Sequence, residues 1–288
     1  MRWWTALILL ALLASACTPQ ATPTTTSPPA NETTTTVAAP EGDPCRSGDL
    51  AFGTDGLIAA LGEENPDVTK LSQIRWEGSA SCERLVVGFT TDTGAPAARL
   101  GLTGVTILGY AGIVRIDLPS EITESAVADM WTDAELVDRT FVTRDEEGNL
   151  RIDVHMAPGI AIEARAFTAS SPASLIIDVA PRPDLTPPVP AATSASAVIV
   201  TPQSGPSLYP FTVEAYAPPA QFSTHVLVTS NEVIASSVSV ALKGYTDTWQ
   251  SFSLRVDDGP SGPTTVFVGE INSSGGPANG ATVLLDLP

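Results

Sequence analysis

Positive charge is scarce in this sequence. The 288 residues include 14 Lys and Arg against 32 Asp and Glu, so the formal net charge at pH 7 is −18. Nucleic-acid binding needs faces rich in Lys and Arg, and contact with anionic lipid headgroups needs polybasic segments, so the composition argues against both. Charged residues make up only 16% of the chain, which leaves Ser, Thr, Gly and Pro for much of the surface. Such a composition is typical of secreted β-domains, whose many turns use Gly and Pro.

The residues and motifs of common catalytic centres are also missing. A hydrolytic zinc site needs about three His or carboxylate ligands, yet the chain has two histidines, His155 and His225, and no His-Glu-x-x-His. The run 259–263 departs from Gly-x-Ser-x-Gly at its last position, and no Gly-rich phosphate loop is present. The acidic run 145–147 predicts a solvated turn, with a calcium site as the alternative. We therefore predict a protein that is not an enzyme and uses neither a metal nor a cofactor, with a hydrolase of unfamiliar constellation as the alternative.

Cysteine occurs three times, and the first one closes an apolar, uncharged run that starts at Trp3. The run is short for a membrane span and ends in small residues, as a secretory signal does. Cys17 follows Leu12-Leu13-Ala14-Ser15-Ala16, which resembles the bacterial lipoprotein lipobox, where a peptidase cuts before a lipidated cysteine. The resemblance implies a signal peptide over residues 1–16 and lipid on Cys17. It also implies a protein held on the outer, extracellular face of the cytoplasmic membrane.

The other two cysteines, Cys45 and Cys82, then lie in an oxidising compartment. We expect a disulfide between them, and the alternatives are two reduced thiols or half of a metal site. In the chain-entropy model, closing a loop of this length stabilises the fold by about 4 kcal/mol.

Two segments rich in Pro divide the rest of the chain. Residues 17–43 contain mainly Thr, Pro, Ala and Ser, so they cannot bury enough apolar surface to offset their ordering entropy, and we predict a disordered tether. Residues 184–196 have a similar composition around Pro187-Pro188-Val189-Pro190 and predict a linker. The remaining chain forms two predicted domains, residues 44–183 and residues 197–288.

Short apolar runs separated by turn residues predict an all-β fold class, with two β-sandwich domains. In the first domain a helical turn is also expected at residues 57–61. A short helix is expected at residues 123–131, where Glu124 follows a Thr123 cap. The predicted strands of the first domain are residues 84–90, 105–108, 113–118, 136–143, 150–155, 160–167 and 175–179.

Asp117, Asp153 and Asp178 each stand between two apolar residues of a predicted strand. Simple alternation places these carboxylates on the solvent face, where Arg115 and Arg151 would neutralise them. The alternative is a row of carboxylates that binds sugars or calcium.

The end of the first domain resembles an AMIN-type domain. An apolar strand at residues 160–167, a turn at Ser171-Pro172 and a last strand Leu175-Ile176-Ile177-Asp178-Val179 match the way that family ends. The start Cys82-Glu83-Arg84-Leu85-Val86-Val87 is similar to the AMIN-like variety of actinobacterial lipoproteins. The resemblance covers residues 82–183 and implies a β-sandwich that targets envelope proteins to peptidoglycan or other wall components. It carries over no functional residue.

The second domain has about seven predicted strands, the count of an immunoglobulin-like sandwich. Residues 200–205, 211–217 and 264–270 resemble the immunoglobulin-like domain associated with GerMN, which was named from spore-germination lipoproteins. One departure is Glu214-Ala215, where that family usually has a Gly. The resemblance implies a second β-sandwich.

The sequence leaves the ligand-binding residues unknown. Trp76, Trp131 and Trp249 are candidates for stacking on sugar rings, with burial in the core as the alternative. We predict a non-enzymatic, membrane-anchored envelope lipoprotein that binds wall glycan through its AMIN-like domain. The alternative is a scaffold that binds proteins of an envelope or germination-type complex. The expected partners are the membrane, through the lipid, and peptidoglycan or another envelope protein, but not nucleic acid.

Overall fold

Strands account for 56% of the residues that the structure describes, and no helix occurs among them. The structure is a computed structural model that describes Cys45, residues 50–79 and residues 81–288. The expected all-β class is confirmed. The strands are β1 (Gly56–Leu61), β2 (Lys70–Ser79), β3 (Cys82–Thr90), β4 (Thr103–Leu108), β5 (Ile113–Asp117), β6 (Glu124–Ser125), β7 (Asp129–Trp131), β8 (Val137–Arg144), β9 (Leu150–Met156), β10 (Ile162–Ala169), β11 (Ser174–Pro181), β12 (Ala192–Thr193), β13 (Val198–Thr201), β14 (Gly205–Pro206), β15 (Phe211–Ala217), β16 (Ser223–Ser230), β17 (Val233–Ala241), β18 (Trp249–Val256), β19 (Gly262–Ile271) and β20 (Pro277–Leu287).

The strands form three sheets. The long sheet has the order β1-β4-β5-β9-β8-β18-β15-β13-β12, and β7 also pairs with β8. The N-terminal sheet has the order β10-β11-β3-β2-β6, and the C-terminal sheet has the order β14-β20-β19-β16-β17. Neighbouring strands are mostly antiparallel, as hairpin connections require.

Two apolar cores lie between the sheets. The first joins side chains of the N-terminal sheet, such as Leu85 and Ile177, to side chains of the long sheet, such as Ile116 and Ile152. The second joins side chains of the C-terminal sheet, such as Val268 of β19, to side chains of β13, β15 and β18 in the other half of the long sheet, such as Val213 and Phe252. Each five-stranded sheet therefore packs on one half of the long sheet.

The long sheet passes through both halves of the chain because β8 and β18 pair in parallel, with Trp249 opposite Thr143. Residues 192 and 193, at the end of the predicted linker, form β12 and pair with β13. The domain boundaries stay predictions, while the described residues all belong to one compact unit. An apolar cluster at this junction takes residues from both sides: Ala111, Ile113, Phe141, Val198, Val200, Tyr216 and Trp249.

Both expected helical segments are wrong. Residues 57–61 lie in β1, which pairs antiparallel with β4. Residues 123–131 contain β6 and β7, which pair with β2 and β8. The spacing of Val127, Met130 and Trp131 fits a helix, but neighbouring strands take up the main-chain hydrogen bonds of this segment, and this tertiary pairing overrides the local pattern.

The two Arg-Ile-Asp segments lie antiparallel in β5 and β9 and form reciprocal ion pairs. Arg115 Nη2 lies 2.7 Å from Asp153 Oδ2, and Arg151 Nε lies 2.7 Å from Asp117 Oδ1. The expected neutralisation by Arg115 and Arg151 is confirmed for Asp153 and Asp117.

Placement of the aspartates on the solvent face is wrong for Asp153 and Asp178, which are fully buried. Asp178 Oδ1 is bound by Arg84 Nε at 2.7 Å, and its Oδ2 by Arg165 Nη2 at 2.9 Å. A buried carboxylate needs such partners because it has lost its hydration. Of the three carboxylates, Asp117 alone is exposed, with 52% of its side chain open to solvent, so they form no open row for sugars or calcium.

The predictions for the N-terminal region concern the signal peptide, the tether and the three cysteines. Cys17, the signal peptide over residues 1–16 and the tether over residues 17–43 lie outside the described residues. Cys45 and Cys82 are both buried, and both lie near the guanidinium of Arg84. Their sulfur atoms are not at disulfide distance, and the bond stays a prediction. Within the described ranges, no helix is long and apolar enough to cross a membrane.

Candidate ligand-binding cleft

An open cleft of about 700 Å³ lies beside the N-terminal sheet. One wall is part of β2, residues 74–78, and the other is the end of β7 with the loop that follows it, residues 130–135. Glu83, at the start of β3, also lines the cleft. Aromatic and acidic side chains converge on this concave surface, which is the usual setting of a small-ligand site.

Trp131 presents an open indole in the cleft, with 64% of the residue exposed. The guanidinium carbon of Arg139 lies 4.2 Å from the centroid of the Trp131 ring, and Arg139 forms an ion pair with Asp129. Because β7 carries Asp129 and Trp131 and pairs with β8, which carries Arg139, the sheet fixes this arrangement. Arg139 therefore holds the ring by a cation–π contact, and the rest of the indole stays open to a ligand.

Trp76 lies on the opposite wall. Its ring is half-buried and packs against the first core, while its indole Nε1 donates a hydrogen bond of 3.0 Å to Glu83 Oε2. The structure thus brings two of the three tryptophans considered from the sequence, Trp76 and Trp131, into one cleft.

Trp249 does not belong to this cleft. It is buried in the junction cluster, where its ring centroid lies 5.0 Å from that of Phe141 in an edge-on contact. For this residue, the alternative of a core position is confirmed.

Glu83 links the two walls of the cleft, although it is only 2% exposed. Its Oε1 accepts the main-chain N–H groups of Glu135 and Leu136, each at 2.7 Å, and its Oε2 accepts the indole N–H of Trp76. A glycine is required opposite it in β2, since a Cβ at Gly78 would lie 2.6 Å from Glu83 Cγ. The buried carboxylate therefore fixes both the Trp76 ring and the loop that carries the other wall.

Sequence reasoning missed Glu83, but the sequence contains a signal for it. Glu83 alternates with Leu85 and Val87 along β3, so a carboxylate stands where the two-residue period requires an inward apolar side chain. Because a buried carboxylate needs hydrogen-bond donors, an inward Glu at the start of a strand indicates a polar contact with a neighbouring segment.

Four exposed charged side chains line the cleft: Arg75, Glu77, Asp133 and Glu135. In the described part of the chain, none of the four forms an ion pair. Carboxylate oxygens accept hydrogen bonds from hydroxyl and amide groups, and an indole face contacts the apolar face of a ring. The arrangement is suited to a ligand that has both, such as a sugar.

The two histidines lie apart from the cleft and in different sheets, His155 in β9 and His225 in β16. The His155 ring is buried, with its centroid 4.9 Å from that of Phe141 and 6.1 Å from that of Tyr216. Burial lowers the pKa of His155 to about 4, despite the opposing effect of Asp153, so the ring is neutral at pH 7.

The acidic run 145–147 belongs to the turn between β8 and β9. Asp145 Oδ1 accepts the main-chain N–H of Asn149 at 2.8 Å, which closes this turn. Among the residues that the structure describes, no three His, Cys, Asp or Glu are grouped so that they could hold a metal ion.

A second polar cluster lies at the junction. Arg115 donates to Asp153 and also lies 2.8 Å from Glu214 Oε1, and Tyr216 donates to Asp153. Burial raises the pKa of Asp153, but hydrogen bonds from Arg115 and Tyr216 outweigh it and hold this pKa below its ordinary value. The cluster joins the two halves of the chain, and Asp153 is closed to a ligand.

No protein-family model matches the chain, and no curated protein matches it significantly.

Proposed function

We propose that this protein is a lipid-anchored envelope lipoprotein that binds cell-wall glycan, peptidoglycan, through the cleft of its first domain. The observation that carries the proposal is the exposed indole of Trp131, which faces a cleft shared with Trp76 and three exposed carboxylates. Sugar rings offer an apolar face for the indoles and hydroxyl groups for the carboxylates. The proposed activity is binding without catalysis.

The proposed location is the outer face of the cytoplasmic membrane. A signal peptide over residues 1–16, lipid on Cys17 and a Pro-rich tether over residues 17–43 support it. In the polyproline II limit of about 3.1 Å per residue, the tether would reach about 80 Å from the bilayer. The cleft would then meet wall polymers while the acidic body stays clear of anionic headgroups.

The proposed architecture is an AMIN-like sandwich followed by an immunoglobulin-like sandwich of the type associated with GerMN. Its support is that each half of the long sheet carries its own five-stranded sheet and its own core. A disulfide between Cys45 and Cys82 belongs to the same proposal.

Co-sedimentation of the detergent-solubilised full chain with purified peptidoglycan tests the binding. We expect the wild type to pellet and Trp131→Ala to bind about tenfold more weakly, which corresponds to about 1.4 kcal/mol of lost ring stacking. Trp131→Phe should fall between them, since it keeps an aromatic face. Phe222→Ala is the matched control, because Phe222 is an exposed aromatic residue outside the cleft. Wild-type protein that stays in the supernatant, or equal binding by Trp131→Ala, would contradict the proposal.

Fractionation of cells tests the anchor. Cys17→Ser should either release the protein from the membrane fraction or leave it uncleaved with its signal attached. Unchanged processing and unchanged membrane attachment would show that Cys17 is not lipidated.

A further inference from the structure

β17 (Val233–Ala241) is the open edge of the C-terminal sheet, and in the described chain it pairs with β16 alone. It contains no Pro and no charged residue. Most of its side chains are exposed, including Val233 at 68%, Ile234 at 40% and Val238 at 36%. Sheet edges in native proteins are usually protected by charge, by Pro, by a bulge or by a covering segment. β17 has one irregularity, a register shift against β16 that leaves Ala235 outside the ladder. The uncharged run beyond it, residues 236–241, is therefore an open surface for pairing.

The main chain of β17 directs a regular row of groups outward. The N–H of Leu242 donates to the carbonyl of Phe222 at 2.9 Å, one position beyond the last pair of the β16–β17 ladder. In an antiparallel ladder such hydrogen-bonded positions alternate with positions whose N–H and C=O point away. The main-chain N–H and C=O groups that point away from β16 are therefore those of Ser237, Ser239 and Ala241.

The charges that flank β17 favour a second copy of the same strand. Glu232 directly precedes the strand, and Lys243 follows it after Leu242. The Lys243 ammonium donates to the main-chain oxygen of Glu146, and in the described residues neither Glu232 nor Lys243 forms an ion pair. If two copies of β17 pair antiparallel about Ser237, the Glu232 end of each meets the Lys243 end of the other.

We infer that β17 pairs with β17 of a second copy of this chain in a two-fold symmetric dimer. The interface is isologous, as in most homodimers, with Ser237 at the two-fold axis, and it joins the two C-terminal sheets into one continuous sheet. On a chain with a net charge of −18, this neutral strand is a place where two copies approach without like charges in the contact. The inference is independent of the glycan-binding cleft, which lies beside the other five-stranded sheet.

Cysteine crosslinking of the full chain in its own membranes tests the pairing. Directly opposed residues in a hydrogen-bonded antiparallel pair have Cα atoms about 5.5 Å apart, within the range of a disulfide. Ser237→Cys should give a band of twice the monomer mass on a non-reducing gel. Thr212→Cys is the control, because Thr212 is exposed but lies in β15, between β13 and β18. A band that stays monomeric, or a crosslink to a different protein, would overturn the inference.

Charge reversal tests the antiparallel arrangement. Glu232→Lys and Lys243→Glu should each raise the dimer dissociation constant severalfold in sedimentation equilibrium, because each places like charges together at both ends of the interface. The double variant should restore the wild-type constant. Single variants without effect, or a double variant that does not recover, would exclude this geometry.

Discussion

The hydroxyl of Tyr216 donates a hydrogen bond to the carboxylate of Asp153, across the junction between the two halves of the chain. Arg115 donates to the same carboxylate through Nε at 2.9 Å and Nη2 at 2.7 Å. Because Asp153 and Tyr216 are fully buried, separation of the halves would expose an apolar cluster and leave this network incomplete. We therefore expect the two halves to unfold together.

Tyr216→Phe tests this coupling. A hydrogen bond to a buried charge contributes about 1.5–3 kcal/mol, so a loss near 2 kcal/mol should lower the melting temperature by about 4–8 °C. Calorimetry should show one transition in both proteins, displaced as a whole in the variant. Tyr110→Phe is the control, since Tyr110 is half-exposed and should melt like the wild type. Two transitions, of which one moves, would show that the halves are independent.

Stability should fall as the pH is lowered from about 6.5 to about 4. Burial lowers the pKa of His155 from 6.5 to about 4 in the folded protein, so the unfolded chain binds more protons in this window. The free energy of unfolding is then lower at the acid end by about 3 kcal/mol. Burial raises the pKa of Asp153, but hydrogen bonds from Arg115 and Tyr216 outweigh it and keep this pKa below its ordinary value, so the carboxylate titrates at a pH below this window.

Denaturant unfolding at pH 7 and at pH 4.5 measures the slope of the free energy of unfolding against pH. His155→Gln should flatten it, whatever its effect on overall stability, while His225→Gln should keep it. A slope that survives in His155→Gln would assign the pH dependence to other groups.

Glu83→Ala should weaken glycan binding although it substitutes neither Trp76 nor Trp131, because the Trp76 indole loses its hydrogen-bond acceptor. The change removes the acceptor of the Glu135 and Leu136 N–H groups, so the second wall of the cleft loses its fixed position. The free energy of unfolding should fall by about 1–3 kcal/mol. Glu83→Gln keeps one carbonyl acceptor, so it should lose less glycan affinity and less free energy of unfolding than Glu83→Ala. The measurements are co-sedimentation and denaturant unfolding, with Glu147→Ala in the exposed β8–β9 turn as control. Full binding by Glu83→Ala would show that the cleft does not depend on this carboxylate.

Reduction should lower the melting temperature of the whole unit if Cys45 and Cys82 are bonded. Loss of the bond removes about 2–4 kcal/mol, which corresponds to about 4–16 °C for a unit of this size. Because the two halves share the long sheet, we expect a single transition to move. Intact-mass measurement before and after alkylation under denaturing conditions counts the thiols independently. Two alkylated thiols without reductant would exclude the bond.

Most strands were predictable because alternation in each strand is regular, but β2 was missed. A register shift between Leu71 and Gln73 interrupts its pairing with β3. This irregularity puts the buried residues Leu71 and Ile74 three positions apart, where a regular strand has two. Trp76 lies on this strand, so the wall of the cleft that β2 forms was not predicted from the sequence either.

The cleft itself could not be located from the sequence. Trp76 and Trp131 lie in distant segments, and what brings them into one cleft is the pairing of β2 and β7 with different sheets. Likewise, the alternation of β9 correctly places Asp153 on the face of the strand opposite to Ile152 and Val154. It does not show that Tyr216 covers this face and keeps it from solvent. A single strand encodes which residues share a face, whereas the partner of that face is set by tertiary packing.

The reciprocal pairs of β5 and β9 also protect the sheet against misalignment. With Arg115 opposite Asp153 and Asp117 opposite Arg151, a slip of one residue would turn every side chain to the wrong face. A slip of two keeps the faces, but in one direction it sets Asp117 against Asp153 and in the other Arg115 against Arg151. Like charges directly opposite each other are destabilising, and each of these pairs would include a buried or largely buried charge, Asp153 in the first and Arg115 in the second. These four charged side chains thus select one register of β5 against β9, which the apolar side chains of the two strands would not distinguish from a register shifted by two residues.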